Sequence, residues 1–223
     1  MRYLAVLEST ATDLAEYARC FNSDLCRITK LNEHWVLESS EFNTCSSPSE
    51  VFTLADATLS VVRRILSLYC GLGHPLTVNY LQSVDAGGQL RGRTIRASRT
   101  LIITSATAMT ELTKPINQHP LATAIFECAQ RDAKTREALK LYQDLENRWA
   151  DVYDIIEFLG GPNQIGQSGL GTRKEAKAVK QTANYYRHLG RKTPSLLPLN
   201  PPTLAKASLF AKQALRRWIE SRL

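Results

Sequence analysis

The sequence predicts an α+β fold, with a small mixed sheet-and-helix domain over residues 1–106 and an all-helical bundle over residues 107–223. Two observations carry this. Strand signals, meaning short apolar runs bounded by polar or glycine turns, stop at about residue 104. From residue 121 onward apolar residues recur only at helical spacing.

In the first part, residues 3–7 form an apolar run that predicts a buried strand, and residues 12–21 predict a short helix with Leu14, Tyr17 and Ala18 on one face. Residues 26–29 and 34–37 predict paired strands around a polar turn at 30–33. Ser47-Pro48-Ser49-Glu50 then supplies a capping hydroxyl, a proline for the first turn and a carboxylate three residues on. The helix it starts runs to about residue 69, with Val51, Leu54, Ala55, Thr58, Val62, Ile65, Leu66 and Tyr69 at helical spacing, and Gly71 and Gly73 stop it. Residues 75–84 and 90–104 predict two more strands around Gly87-Gly88.

In the second part, a helix near 121–132 precedes a longer one from about residue 135. The longer one carries Ala138, Leu139, Tyr142, Leu145, Trp149, Val152, Tyr153 and Ile156 on its apolar face and ends at Gly160-Gly161-Pro162. A glycine-rich loop reaches Gly171, where Thr172 caps a helix running to about residue 189. An extended proline-rich stretch, 194–202, leads to a closing helix with Leu204, Leu209, Leu215, Trp218 and Ile219 facing inward. The aromatic stripe of Tyr142, Trp149, Tyr153 and Trp218 is expected in the bundle core rather than as a base-stacking platform.

Composition excludes several classes. With 43% hydrophobic and 22% charged residues, the chain is neither disordered nor fibrous. The longest apolar stretches, 59–72 and 101–109, are too short to span a bilayer, and Arg63 and Arg64 interrupt the first. Arg2 and residues 3–7 before Glu8 make too short a run for a signal peptide. Five scattered cysteines (Cys20, Cys26, Cys45, Cys70, Cys128) show neither a disulfide framework nor CxxC spacing, so reduced thiols in a cytoplasmic protein are expected. The four histidines, His34, His74, His119 and His188, lie far apart, and no metal or cofactor is expected. Neither a GxSxG turn nor a phosphate-cradling P-loop occurs.

Charge is the informative feature. Residues 171–223 hold twelve Lys or Arg against two acids, whereas the preceding residues hold sixteen bases and nineteen acids. Such asymmetry marks a polyanion binder or, alternatively, solvated helix faces and internal docking charges. Candidate nucleic-acid contacts are Arg173, Lys174, Lys177, Lys180, Arg191 and Lys192. The glycines at 166–171 before Thr172-Arg173-Lys174 invite a phosphate reading, but without a GK[ST] ending a mobile connector is the preferred one. Arg91, Arg93, Arg96 and Arg99 are a secondary candidate: Arg91, Arg93 and Arg99 share one strand face and could follow a backbone, but protection of a sheet edge explains them more simply.

Trp149-Ala-Asp-Val-Tyr153-Asp-Ile-Ile-Glu157 is followed by Thr182-Ala-Asn-Tyr-Tyr-Arg187-His188 and by a closing helix containing Arg217-Trp218-Ile219. Over residues 121–223 this order resembles the helical half of bacterial HEPN-like proteins of the AN…RH type. The resemblance implies an all-α, commonly dimeric domain associated with RNA, found in toxin–antitoxin and anti-phage systems. Its active members are metal-independent endoribonucleases carrying an Arg and a His four to six residues apart on one helix. In this chain Arg187 and His188 are adjacent.

For cleavage, His188 would move the proton of the 2′-hydroxyl and Arg187 would stabilise phosphorane charge. Asn184, one turn before His188, would orient it or touch phosphate, and Glu157 would support Arg187. The structural alternative stays open beside this: Glu157 satisfies Arg187, and His188 ends its helix at the negative pole. Two function classes follow. One is an RNA-binding HEPN-like protein and homodimer, with endoribonuclease activity as the implied reaction. The other is a non-enzymatic scaffold or dimerising module whose first domain recognises a protein partner. Structural DNA binding has the charge but no helix-turn-helix pattern.

Overall fold

The computed structural model describes residues 2–9, 11–70, 76–85, 87, 89–96, 119–143, 145, 148–188 and 196–223. The fold is α+β, an antiparallel sheet unit followed by a helical unit, with Met1–Glu127 and Cys128–Leu223 as the two compact parts. The expected domain boundary, 106/107, lies outside the described residues, as do Gly71, Gly73 and Gly88 and strand residues 97–104.

The sheet contains β1 (Arg2–Glu8), β2 (Arg27–Leu31), β3 (His34–Glu38), β4 (Thr77–Val84) and β5 (Leu90–Ile95), in the order β2-β3-β1-β4-β5. Central β1 is buried from Leu4 to Leu7 because neither of its faces meets solvent, which explains its run of apolar residues without alternation. Leu4 and Val6 join Val36, Tyr80 and Val84 in one cluster, while Ala5 lies opposite Leu37 and Leu81. The β2–β3 turn is tighter than expected: Lys30 and Leu31 pair with Trp35 and His34, and Asn32 takes the left-handed conformation at φ 53°.

Helix α1 (Ala11–Cys20) packs beside β2, and α2 (Pro48–Cys70) lies along β1 and β4. The expected cap forms with a difference in partner. Ser47 Oγ accepts the Glu50 amide at 3.3 Å, but the Glu50 carboxylate accepts from Ser46, at 2.8 Å from its amide, rather than from Ser47. Helix α3 (His119–Arg131) crosses the division between the units. Its residues 119–127 belong to the sheet unit, with Phe126 edge-on to Phe21 at 6.1 Å and the Thr123 hydroxyl donating to the Cys20 carbonyl at 3.0 Å.

The helical unit contains α4 (Ala133–Gln143), α5 (Trp149–Phe158), α6 (Gly161–Gln167), α7 (Arg173–Arg187) and α8 (Leu204–Glu220). Three expectations are corrected here. The long helix from residue 135 is two helices. Arg148 is the extended N-cap of α5 (φ −105°, ψ 148°), and its side chain forks onto the Asp151 carboxylate at 3.1 and 3.0 Å. Apolar periodicity carries across the break because both helices, and Leu145 between them, face the same core.

The glycine-rich loop contains a helix. Gly160 and Gly161 adopt φ +82° and +78°, which ends α5, and Pro162 then opens α6, whose Ile165 is fully buried. The last correction concerns the core. In α8 the inward stripe is Ala207, Ser208, Ala211, Ala214, Leu215 and Ile219, whereas Leu209 is 57% exposed. Tyr142, Trp149, Tyr153 and Trp218 are only half-buried, and the centre is filled by Leu139, Val152, Ile155, Ile156, Ile165, Leu215 and Ile219. Small residues on α8 leave space along its buried side that the aliphatic side chains fill, and the rings lie at the margin.

Candidate nucleic-acid interface

Helix α7 begins at a strong cap. Thr172 Oγ1 accepts the Glu175 amide at 3.2 Å, and the hydroxyl donates to the Glu175 carboxylate at 2.7 Å. A carboxylate thus already occupies the positive end of the helix dipole. Asn163, Gly166, Gln167, Gly171, Thr172 and Arg173 line an open depression of about 540 Å³ beside it. The close approach of α6 and α7 here depends on Gly166, where an added Cβ would sit 3.0 Å from the Arg173 Cβ. The segment is a packed corner rather than a connector.

Ala176, Val179, Thr182 and Ala183 bury one side of α7. On another side Arg173, Lys177, Lys180, Asn184 and Arg187 follow one another at intervals of four, three, four and three residues, so they form a single stripe about 21 Å long at 1.5 Å per residue. Lys174 flanks it. Helices α5 and α7 run antiparallel, since Trp149 meets Tyr186 while Glu157 meets Lys180.

This register settles the pairing of the candidate residues. Arg187 approaches Asp154 at 3.7 Å and lies over the Tyr153 ring, its central carbon 4.4 Å from the centroid. Glu157 pairs with Lys180 instead, which corrects the expected Glu157–Arg187 contact. One turn beyond Asp154 along α5, antiparallel packing brings Glu157 to an earlier turn of α7. Asp154 is the partner the sequence reading missed, and its spacing three residues before Glu157 was the available signal.

His188 is the C-cap of α7, with φ −108° and its amide donating to the carbonyls of Asn184 and Tyr185, each at 3.2 Å. Both His188 and Asn184 are half-buried. Arg187, His188 and Asn184 therefore gather at one end of α7, with the Arg187 cation turned toward α5.

Much of the basic surplus is spent inside the unit. Arg216 pairs with Glu220, Arg222 with Asp132, and Arg217 donates to the Leu170 carbonyl at 3.1 Å. Arg173, Lys174, Lys177 and Lys206 are exposed and make no ion pair among the described residues. Three of these four cluster in the first turns of α7. Arg191 and Lys192 lie outside the described residues.

In the sheet unit, Arg91 pairs with Asp85 at 2.7 Å, Arg93 lies 3.6 Å over Tyr80, and Arg96 pairs with Asp56 at 2.7 Å and covers Phe52. All three serve strand β5 at the sheet edge; Arg99 lies outside the described residues. No helix among the described residues is long and apolar enough to cross a membrane. No family model matches the chain, and no curated protein or solved structure is significantly similar to it.

Proposed function

We propose that the helical unit is a HEPN-like RNA-binding module that holds the phosphate backbone along the α7 stripe. The observation that carries this reading is the cluster of Arg173, Lys174 and Lys177, exposed and without acidic partners among the described residues. Cations arranged along one helix side release counterions when they meet a phosphate chain, which gives sequence-independent affinity. The two segments that resemble HEPN-like proteins also face each other, on α5 and α7. The same reading makes the protein a cytoplasmic homodimer in an anti-phage or toxin–antitoxin setting.

Binding is better supported than cleavage. Arg187 is already engaged by Asp154 and Tyr153, so part of its charge is answered before a phosphate arrives. The test is incubation of the full chain with labelled RNA in EDTA, followed by native and denaturing gels. Retarded but intact RNA is the expected result. Shortened RNA that survives EDTA and disappears in His188→Ala replaces binding with cleavage, and unretarded RNA removes the reading.

A second reading, a scaffold or dimerising module, is favoured by a different observation. Leu196 and Leu199 are 91% and 95% exposed in the proline-rich stretch before α8. Exposed leucines on either side of Pro198 suit the groove of a protein partner.

A further inference from the structure

We infer that the depression between α6 and α7 holds one unpaired nucleobase of the bound strand, read at its edge by the carboxamides of Asn163 and Gln167. This rests on the RNA-binding reading for the backbone grip and adds a base contact to it. Asn163 and Gln167 lie one turn apart on α6, and both line the depression. Both are exposed, and neither side chain makes a hydrogen bond among the described residues. Gln164, between them in sequence, behaves differently: its Nε2 donates to the Ser168 hydroxyl at 2.8 Å.

Arg173 lines the same depression. A Cβ added at Gly166 would meet the Arg173 Cβ at 3.0 Å, so the bare glycine is what lets the arginine stand beside the two carboxamides. Arg173 also heads the exposed cluster with Lys174 and Lys177, so a phosphate chain held there passes the mouth of the depression. The chemistry of the lining selects a base over a second phosphate. A phosphate takes donors alone, whereas each carboxamide sets an acceptor beside its donors, a pattern that a base edge answers with two hydrogen bonds. The Thr172 hydroxyl offers no donor to an anion here, because it donates to the Glu175 carboxylate at 2.7 Å, and that carboxylate repels one. Unpaired bases present these edges, and pairing in a duplex hides them.

The test is fluorescence anisotropy with the full chain, a labelled RNA strand of about 12 nucleotides and an abasic ribose-phosphate oligomer of equal length. Both ligands carry the same backbone charge, so the difference between them reports the bases. Wild type should prefer the RNA strand by roughly tenfold. Asn163→Ala with Gln167→Ala should abolish that preference at an unchanged salt dependence and melting temperature, because both side chains are exposed. Each single substitution should remove part of it. Equal affinity of the wild type for the two ligands overturns the inference while the backbone reading stands. So does an undiminished preference in the folded double variant or in both single variants. Absence of binding to either ligand overturns both.

Discussion

The guanidinium of Arg187 rests on the ring of Tyr153, 4.4 Å from its centroid, and this contact joins the end of α7 to the middle of α5. The nearby Asp154 carboxylate, at 3.7 Å, adds a partly solvated ion pair. Exposed cation–π contacts are worth about 0.5–1 kcal/mol, and exposed ion pairs about 0.2–1 kcal/mol. A double-mutant cycle in urea should find coupling of that size between Arg187 and Tyr153. Coupling between Arg187 and Glu157 should be near zero, because Glu157 belongs to Lys180.

Acid should weaken the helical unit through Asp132. Its carboxyl, hydrogen-bonded by the Thr135 hydroxyl and also by Arg222, is lowered from 3.8 to about 2. A depressed folded value means the stabilisation is complete above the unfolded value near pH 4 and is lost as pH falls toward 2. Melting temperature followed by circular dichroism should decline across that window. Asp132→Asn should lower it at neutral pH and flatten the decline.

Two left-handed glycines, Gly160 between α5 and α6 and Gly169 between α6 and α7, separate strain from crowding. Gly160 (φ +82°) would place a Cβ 2.9 Å from the Gln164 Cβ, whereas Gly169 (φ +68°) has nothing within 4 Å. Both alanine variants carry the left-handed penalty of about 1–2 kcal/mol. Gly160→Ala should therefore be the less stable of the two in chemical denaturation.

Leu196→Ser with Leu199→Ser should leave the melting temperature unchanged, because both side chains are already in water. RNA affinity should also be unchanged. Light scattering that shows loss of a dimer in this variant, together with undisturbed RNA binding, assigns self-association to the proline-rich stretch.

Strands and helices were legible wherever period and punctuation agreed. The Ser47 and Thr172 caps marked two helix starts, and β1 announced itself as a buried strand by a run without polar interruption. What escaped has a common physical origin. The break before Trp149 is invisible to periodicity, since the apolar faces on both sides point to one core. Helix α6 was masked by glycines that serve as its left-handed entry and as a close-approach surface. In α8 four of the six buried residues are alanine or serine, so ranking by side-chain size drew Leu209 inward. At the site, the charge and its location in α7 were legible from composition. The partners were not, because Glu157–Lys180 and Asp154–Arg187 depend on the register of two antiparallel helices.

If the exposed bases of α7 bind a phosphate backbone, RNA affinity depends on salt through them. For a single strand, the logarithm of affinity falls with the logarithm of salt by about 0.7 per neutralised phosphate. Reversing Arg173, Lys174 and Lys177 to Glu, on the stripe side rather than the packed side of α7, should leave the circular dichroism spectrum intact. Affinity should fall for every RNA sequence, and the slope should become shallower by about 2. An unchanged affinity and an unchanged slope in this folded variant would contradict the account and return these bases to the role of a solvated helix face.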